Sequence, residues 1–341
     1  MFENFSFFPD IDLYYDTDCT EAYDLVDVIS NNKKINIIKF ALAMEIPVSR
    51  KYSSLDCWSD PNGVPHSQKI YDTFKQRIIS KKEAINFLEY CKLKKLKMIA
   101  SIYDCSSAKV AGRYCSALKV ASTNITNFPL IECICKYCNN LVIDTGNSTN
   151  EDIFNILKFV KEISPKMNIL LQYSPTRPPA DSSTWNMWRI QEIQEKFQLP
   201  VGLSDHDNTT NQALLSLGLG VVNIEKGIMS DRAWNEGVSD SAHCIPISKL
   251  SEYLDTVLIA KNGLNYNQKS LFSSDHAGKT RSGLYAKADI EAGSIIKKKD
   301  VVSLIPQIGI GANEIYNVLG LKVIDKIKKG EPLEEKNIRN F

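Results

Sequence analysis

Pro200-Val201-Gly202-Leu203-Ser204-Asp205-His206 is a short apolar run that stops on three polar residues, and a helix candidate, Asn211–Leu217, follows it. The pattern is that of a β-strand whose C-terminal end carries chemistry-bearing side chains and feeds an amphipathic helix. The same unit recurs along the chain. The other strand candidates are Phe5–Ile11, Ile35–Ala41, Met98–Tyr103, Ala117–Ser122, Asn140–Asp144, Asn168–Tyr173 and Gly220–Glu225. Helix candidates alternate with them: Glu21–Ser30, Lys81–Lys95, Phe128–Tyr137, Asn150–Ile163, Trp185–Phe197 and, last, Ile247–Ala260. Thr149 with Asp152 three residues on, then Ser164-Pro165, frame one helix by cap and stop chemistry. Strand-then-helix units repeated over about 260 residues predict a closed (β/α)8 barrel of parallel strands rather than an open sheet.

The chain has 341 residues, 43% of them hydrophobic and 24% charged, which supplies a large core and room for a second, small domain. Residues 1–264 read as the barrel, 265–280 as a polar, turn-rich linker, and 281–341 as a compact β-rich module of short strands and turns. Forty-one basic and 40 acidic side chains leave a formal charge of +1, which argues against a general affinity for nucleic acid or an anionic membrane. No apolar run reaches the ~20 residues that span a bilayer. The nine cysteines are scattered and read as reduced thiols of a cytoplasmic protein. Cys133-x-Cys135-x-x-Cys138 has the spacing of a metal knuckle but lies in an apolar helix pattern, which favours packing.

Barrel enzymes draw their site residues from the C-terminal strand ends and the loops after them. Here those positions are Asp10 and Asp12, Lys39, Ser101, Lys119 with Ser122 and Asn124, Thr145, Gln172 with Arg177, Ser204-Asp205-His206, and Glu225-Lys226. Lysines, an arginine and hydroxyls converging on one rim suit a phosphate or carboxylate ligand. Any one of these lysines alone is as well explained by a salt bridge; their convergence carries the case. His206 sits at a functional strand end, but one histidine does not hold a transition metal, and the sequence does not show which carboxylates join it. His243 could reach the rim, with a surface position as its default.

The motifs at these strand ends resemble the N-acetylneuraminate (sialic acid) synthase family with its C-terminal antifreeze-like (SAF) domain. The segments are Ile38-Lys39-Phe40, Lys119-Val120-Ala121-Ser122, Thr145-Gly146, Pro200 to His206 and Ile224-Glu225-Lys226, with Arg281-Ser282, Ala286–Gly293 and Lys328 to Leu333 in the tail. The resemblance implies a synthase that condenses phosphoenolpyruvate with an acylated amino sugar to give a 3-deoxy α-keto sugar acid for surface glycans. It implies Asp10, Lys39 and Lys119 as catalytic groups, and Lys39, Ser101, Lys119, Ser122, Thr145 and Ser204 around phosphoenolpyruvate. Asp12, Asn124, Gln172, Arg177, Asp205 and Glu225 would meet the sugar, and His206 would bind a divalent metal, manganese or magnesium. It also implies a homodimer with each small domain packed over the partner barrel.

The chain departs from the family pattern in definite places. Gly227 stands where a second metal histidine follows Glu-Lys, Asn124 replaces a carboxylate, Gln172 and Arg177 replace a histidine and a tyrosine, and Ile305 replaces the tail arginine. The phosphate side survives better than the metal and acceptor sides. The principal expectation is a divergent phosphoenolpyruvate-dependent synthase. The alternatives are a non-catalytic homologue that binds sugar or phosphoenolpyruvate as a regulatory subunit, and a barrel lyase using Lys119 or Lys226 as a Schiff base.

Overall fold

The computed structural model of the chain describes residues 2, 4–11, 20–175, 181–264 and 274–339, and side chains there except at 274–276. The chain divides into two compact units, Met1–Leu264 and Asn265–Phe341. The first is a closed parallel barrel. Its strands are β1 (Ser6–Ile11), β2 (Ile37–Leu42), β5 (Lys97–Ile102), β6 (Ala117–Val120), β7 (Asn140–Asp144), β8 (Asn168–Tyr173), β9 (Val201–Asp205) and β10 (Asn223–Met229). They pair in chain order, and β10 pairs back onto β1 to close the ring. A two-residue strand, β11 (Ile245–Pro246), adds to β10.

Alternation along each strand builds the barrel in layers. Outward positions such as Phe40, Ile102, Leu118, Ile143, Leu203 and Ile224 pack with the helices in one large core. Inward positions near the strand starts, Phe8, Ile37, Ile99, Ala117, Val142 and Leu170, form a dry plug with Phe2. Two residues further on, the same inward face carries Asp10, Lys39, Ser101, Lys119, Asp144 and Gln172. The apolar plug closes the bottom of the barrel and the polar layer forms its floor.

The helices lie where expected, with shifted ends. Asn150–Ile163 carries the foreseen capping box: Asp152 N donates to Thr149 Oγ1 at 3.1 Å, and Thr149 N donates to Asp152 Oδ2 at 2.8 Å. The last barrel strand begins at Asn223 rather than Gly220, because Gly220 takes a left-handed turn conformation (φ +83°) before it. Helices Cys105–Ala111 and Asp231–Glu236 and the short strand β11 add to the expected set, and so does a larger insertion. Between β2 and helix Lys81–Leu93, an antiparallel hairpin, β3 (Leu55–Ser59) and β4 (Pro65–Lys69), leads into a short helix, Ile70–Gln76. Its polar composition gave no apolar alternation.

Cys105 and Cys133 are paired as a disulfide with Cα atoms 5.8 Å apart, which corrects the reading of every cysteine as a reduced thiol. Helices Cys105–Ala111 and Phe128–Cys135 are neighbours around the barrel, and that proximity is invisible in spacing along the chain. Among the described residues, no helix is long and apolar enough to cross a membrane.

The second unit has its own core of Leu284, Ile290, Ile296, Val301, Ile310, Val318, Val323, Leu333 and Ile338. Two small antiparallel pairs, Gly283–Ala286 with Val301–Leu304 and Lys322–Val323 with Ile338–Arg339, frame it. The expected linker, 265–280, is not structureless throughout: Ser274–Thr280 is helical, although its residues show no apolar period.

Candidate active site

The polar floor opens into a cavity of about 450 Å³. Pairing brings its groups together: Asp10 lies beside Lys39, Ser101 beside Lys119, and Ser204 beside Glu225. Lys119 Nζ reaches Glu225 Oε1 at 2.6 Å and Asp144 Oδ2 at 3.1 Å. Lys39 Nζ reaches Asp10 Oδ2 at 2.5 Å and Glu225 Oε1 at 3.4 Å. Ser204 Oγ donates to the same Glu225 oxygen at 3.1 Å. The result is one network of two lysines and three carboxylates, with Lys119 and Glu225 each only 3% exposed. Such an arrangement is held only because every cation meets a counter-charge.

The carboxylates are not equivalent. Burial pushes Asp10 up to about 6; the nearby charge of Glu225 adds to this, and Lys39 only partly opposes it. Burial would raise Glu225 as well, but Lys119 and Lys39 outweigh it and hold it at about 2. Glu225 therefore keeps its charge and Asp10 takes a proton most readily. Asp10 Oδ1 and Glu225 Oε2 are buried with no hydrogen-bond partner among the described residues. Buried oxygens left this way mark a place where another group can bind.

The cavity gathers Asp10, Lys39, Ser101, Lys119, Ser122, Asn124, Ser204, Asp205, His206 and Glu225 from the sequence-derived set. Three of the calls are corrected by the geometry. Thr145 Oγ1 donates to the Gln172 carbonyl at 3.0 Å and does not line the cavity. Gln172 lies inside the barrel, where its Nε2 donates to Asn223 Oδ1 at 2.5 Å, and it too is absent from the lining. Asp205 borders the cavity, but Oδ2 accepts from Tyr253 Oη at 2.5 Å and Oδ1 from Asp207 N at 2.9 Å. Strand parity explains this: Ser204 faces in and Asp205 faces the outer helices. Lys226 likewise points outward, 3.5 Å from Asp205, which removes it as a Schiff-base candidate in this cavity. Asp12 and Arg177 lie outside the described residues.

The structure adds four groups. Asp144 closes the Lys119 triad and also accepts from Ser174 Oγ at 2.6 Å and Gly146 N at 3.0 Å. Its inward place, two residues after Val142, was available as a signal. Arg77 and Asp240, paired at 3.1 Å, come from the short helix after the hairpin and from the loop before β11. His243 is not a surface residue: it lines the cavity with its ring 5.0 Å from that of His206. Burial holds His206 below the usual histidine range and pushes His243 down to about 3, so both are neutral near pH 7.

Among the described residues, the donors do not make a site for a divalent metal. His206 Nδ1 donates to the Pro175 carbonyl at 3.1 Å, and its Nε2 lies 3.4 Å from Ser204 Oγ. Gly227 offers no side chain, and a Cβ built there would meet Cys244 Sγ at 2.4 Å. Among the described residues no three His, Cys, Asp or Glu side chains are placed to hold a metal ion. The Cys244 contact gives a test. Gly227→Ala overpacks this corner and lowers stability by about 1–3 kcal/mol. Adding Cys244→Ala returns the thermal midpoint toward that of Cys244→Ala alone, as scanning calorimetry would show.

A closed barrel with a charged floor, followed in the chain by a small β-rich unit, defines a two-domain (β/α)8 barrel protein. Residues 25–269 match the NeuB family model and residues 281–339 the SAF domain, and the chain belongs to the NeuB family. It is 29% identical over 226 residues to a pseudaminic acid synthase of Campylobacter jejuni, covering 65% of this chain and 64% of that protein. It is 24% identical over 278 residues to an N,N'-diacetyllegionaminic acid synthase of Legionella pneumophila, covering 80% and 78%. The chain thus spans slightly under two thirds of the pseudaminic acid synthase it matches. A sialic acid synthetase of Leptospira borgpetersenii, solved in complex with citrate, shares the fold with a TM-score of 0.66 at 19% identity, covering 81% of this chain and 90% of that one. A spore coat polysaccharide biosynthesis protein of Bacillus subtilis shares it with a TM-score of 0.62 at 18% identity, covering 99% and 96%.

Proposed function

We propose that this protein condenses phosphoenolpyruvate with an acylated amino sugar or related aldose, releasing phosphate and forming a 3-deoxy α-keto sugar acid. The observation that carries the reading is the pair of buried lysines, Lys39 and Lys119, set with Ser101 and Ser204 on the floor of one cavity. Two fixed cations and adjacent hydroxyls suit a substrate that carries both a phosphate and a carboxylate. The names of the relatives, a pseudaminic acid synthase and an N,N'-diacetyllegionaminic acid synthase, agree with it.

In this mechanism Lys39, Lys119 and the serines neutralise and orient phosphoenolpyruvate. Its C3 attacks the aldehyde carbon of the sugar, and the new carbon–carbon bond leaves positive charge at C2. Glu225, held ionised, faces that charge. Asp10 delivers a proton from Oδ1 to the aldehyde oxygen as it becomes a hydroxyl. Neutral His206, with Nε2 free to accept, takes a proton from the water that adds at C2. In the collapse of the adduct the C2–O–phosphate bond breaks, the C2 hydroxyl proton leaves with the phosphate and the α-keto acid remains; the proton held on His206 returns to Asp10 through solvent. No step is assigned to a metal, because the donors among the described residues do not form a site for one.

A second reading, a sugar- or phosphoenolpyruvate-binding homologue without turnover, is favoured by Cys244 filling the space beside Gly227. Phosphate release from phosphoenolpyruvate, measured with a panel of aldoses and acylated amino sugars, with and without manganese, separates the two. Release that requires an aldehyde and is lost in Asp10→Asn is the expected result. Binding of phosphoenolpyruvate without release across the panel would favour the second reading.

A further inference from the structure

Lys226 is fully buried on the outward side of β10, and the chemistry of the floor makes no use of it. The strand register sets it opposite Asp205 on β9. Its ammonium has acceptors on three sides. Nζ donates to the Asp207 carbonyl and, at 3.1 Å, to the His243 carbonyl, and it lies 3.5 Å from Asp205 Oδ1. The ring of Tyr253, on helix Leu250–Gly263, covers it with its centre 5.4 Å from Nζ. Asp205 is held in turn, by Tyr253 Oη on one oxygen and the Asp207 amide on the other. An ammonium carries three protons, and a buried one is tolerated when each of them is met.

The acceptors belong to two separate segments that both line the cavity. Asp205 and Asp207 flank His206 in the connection after β9, and the other carbonyl is that of His243, just before β11. One ammonium, carried on a barrel strand, therefore ties the two histidine-bearing segments together. Within its own loop His206 is oriented by Gln212, which accepts from its backbone N–H at 3.0 Å, and by the Pro175 carbonyl on Nδ1. Those bonds set the ring in its loop; the bonds of Lys226 set the loop against His243, whose ring centre is 5.0 Å away. We propose that Lys226 is a positioning residue, whose ammonium fixes His206 against His243 and so aims His206 Nε2 at the water that adds to C2. The proton transfer rests on the condensation reading, and the positioning rests on the bonds of the ammonium alone.

The test uses the whole chain, isotopically labelled at its four histidines and assigned by single His→Gln substitutions. The wild type should show a cross-relaxation peak between the ring C–H protons of His206 and His243. Lys226→Met should lose it. Lys226→Met with Asp205→Asn should lose it too, and this double variant folds without a stranded carboxylate because both charges of the buried pair are gone. Tyr253→Phe removes a bond from the same cluster but leaves the ammonium and both carbonyls in place. It should lower the thermal midpoint and keep the cross-peak. In turnover of phosphoenolpyruvate with the best aldose of the panel, the double variant should lose about a hundredfold in kcat, with Tyr253→Phe near the wild type. Phosphoenolpyruvate affinity, read by calorimetry, should be the same in all of them, because Lys39 and Lys119 are untouched. A cross-peak that survives loss of the ammonium, or an equal kcat loss in Tyr253→Phe, overturns the assignment. So does a double variant that cannot fold, since the ammonium would then support the barrel at large. Histidines that separate on loss of Lys226, in a protein whose wild type releases no phosphate, would uphold the positioning and sink the condensation reading instead.

Discussion

Lys119→Met abolishes turnover and removes about 3–5 kcal/mol of stability, while Lys119→Met with Glu225→Gln recovers most of the stability and none of the turnover. The reason is the triad at the centre of the floor. Lys119 neutralises Glu225 at 2.6 Å and Asp144 at 3.1 Å, and its side chain is 3% exposed. Removing the ammonium alone leaves Glu225 with only Lys39, at 3.4 Å, and Asp144 with no cation among the described residues. Replacing Glu225 by its neutral isostere at the same time removes one buried charge, while Asp144 still accepts from Ser174 and the Gly146 amide. Stability in both variants is read by urea unfolding with the slope held common. Turnover follows the substrate instead of the fold: without the cation nothing replaces its attraction for phosphate, and a loss of at least about a thousandfold is expected. If Lys119→Met unfolds no more easily than the wild type, the triad is not the structural centre described here.

The barrel was legible because its strands repeat one rule. Apolar runs end in polar residues, and helices with caps follow; Thr149 and Asp152 show how much a single box can fix. The floor was legible in part for the same reason, since Lys39, Lys119, Ser204 and Glu225 all stand at strand ends. The misses have two physical causes. One is parity: Asp205 and Thr145 are at strand ends but direct their polar groups away from the cavity, whereas Asp144 is on the inward face. The other cause is distance along the chain. Arg77, Asp240 and His243 sit on connections whose polar sequence gives no period, and only the tertiary packing of the hairpin and the loop before β11 delivers them to the rim. The Gly227 departure reads differently once the fold is known. It is a packed corner in which Cys244 Sγ occupies the space that a side chain at 227 would need.

On the condensation reading, Asp10→Asn is expected to slow the reaction by about a hundredfold or more and to abolish the pH dependence that Asp10 would give to phosphoenolpyruvate binding. Asp10 titrates at about 6 in the folded protein against an ordinary 3.8. Its folded pKa is raised, so the stability it contributes is fully present below pH 3.8 and is lost as pH rises through about 6. Above that pH the floor carries three carboxylates against two lysines, a poor place for an anion. A bound anion raises the pKa of Asp10 further, so binding takes up a proton, and affinity falls by up to about tenfold per pH unit above pH 6. The phosphate of the ligand titrates too, so the decisive quantity is the difference between the two proteins. Asparagine mimics the protonated acid and cannot titrate. Asp10→Asn should bind phosphoenolpyruvate at pH 8 nearly as tightly as the wild type does at pH 6, and calorimetry in buffers of different ionisation enthalpy should show one fewer proton taken up. The thermal midpoint of the same variant should rise relative to that of the wild type as the pH goes from 4 to 6. Equal proton uptake by the two proteins would mean that the group exchanging protons in this cavity is not Asp10.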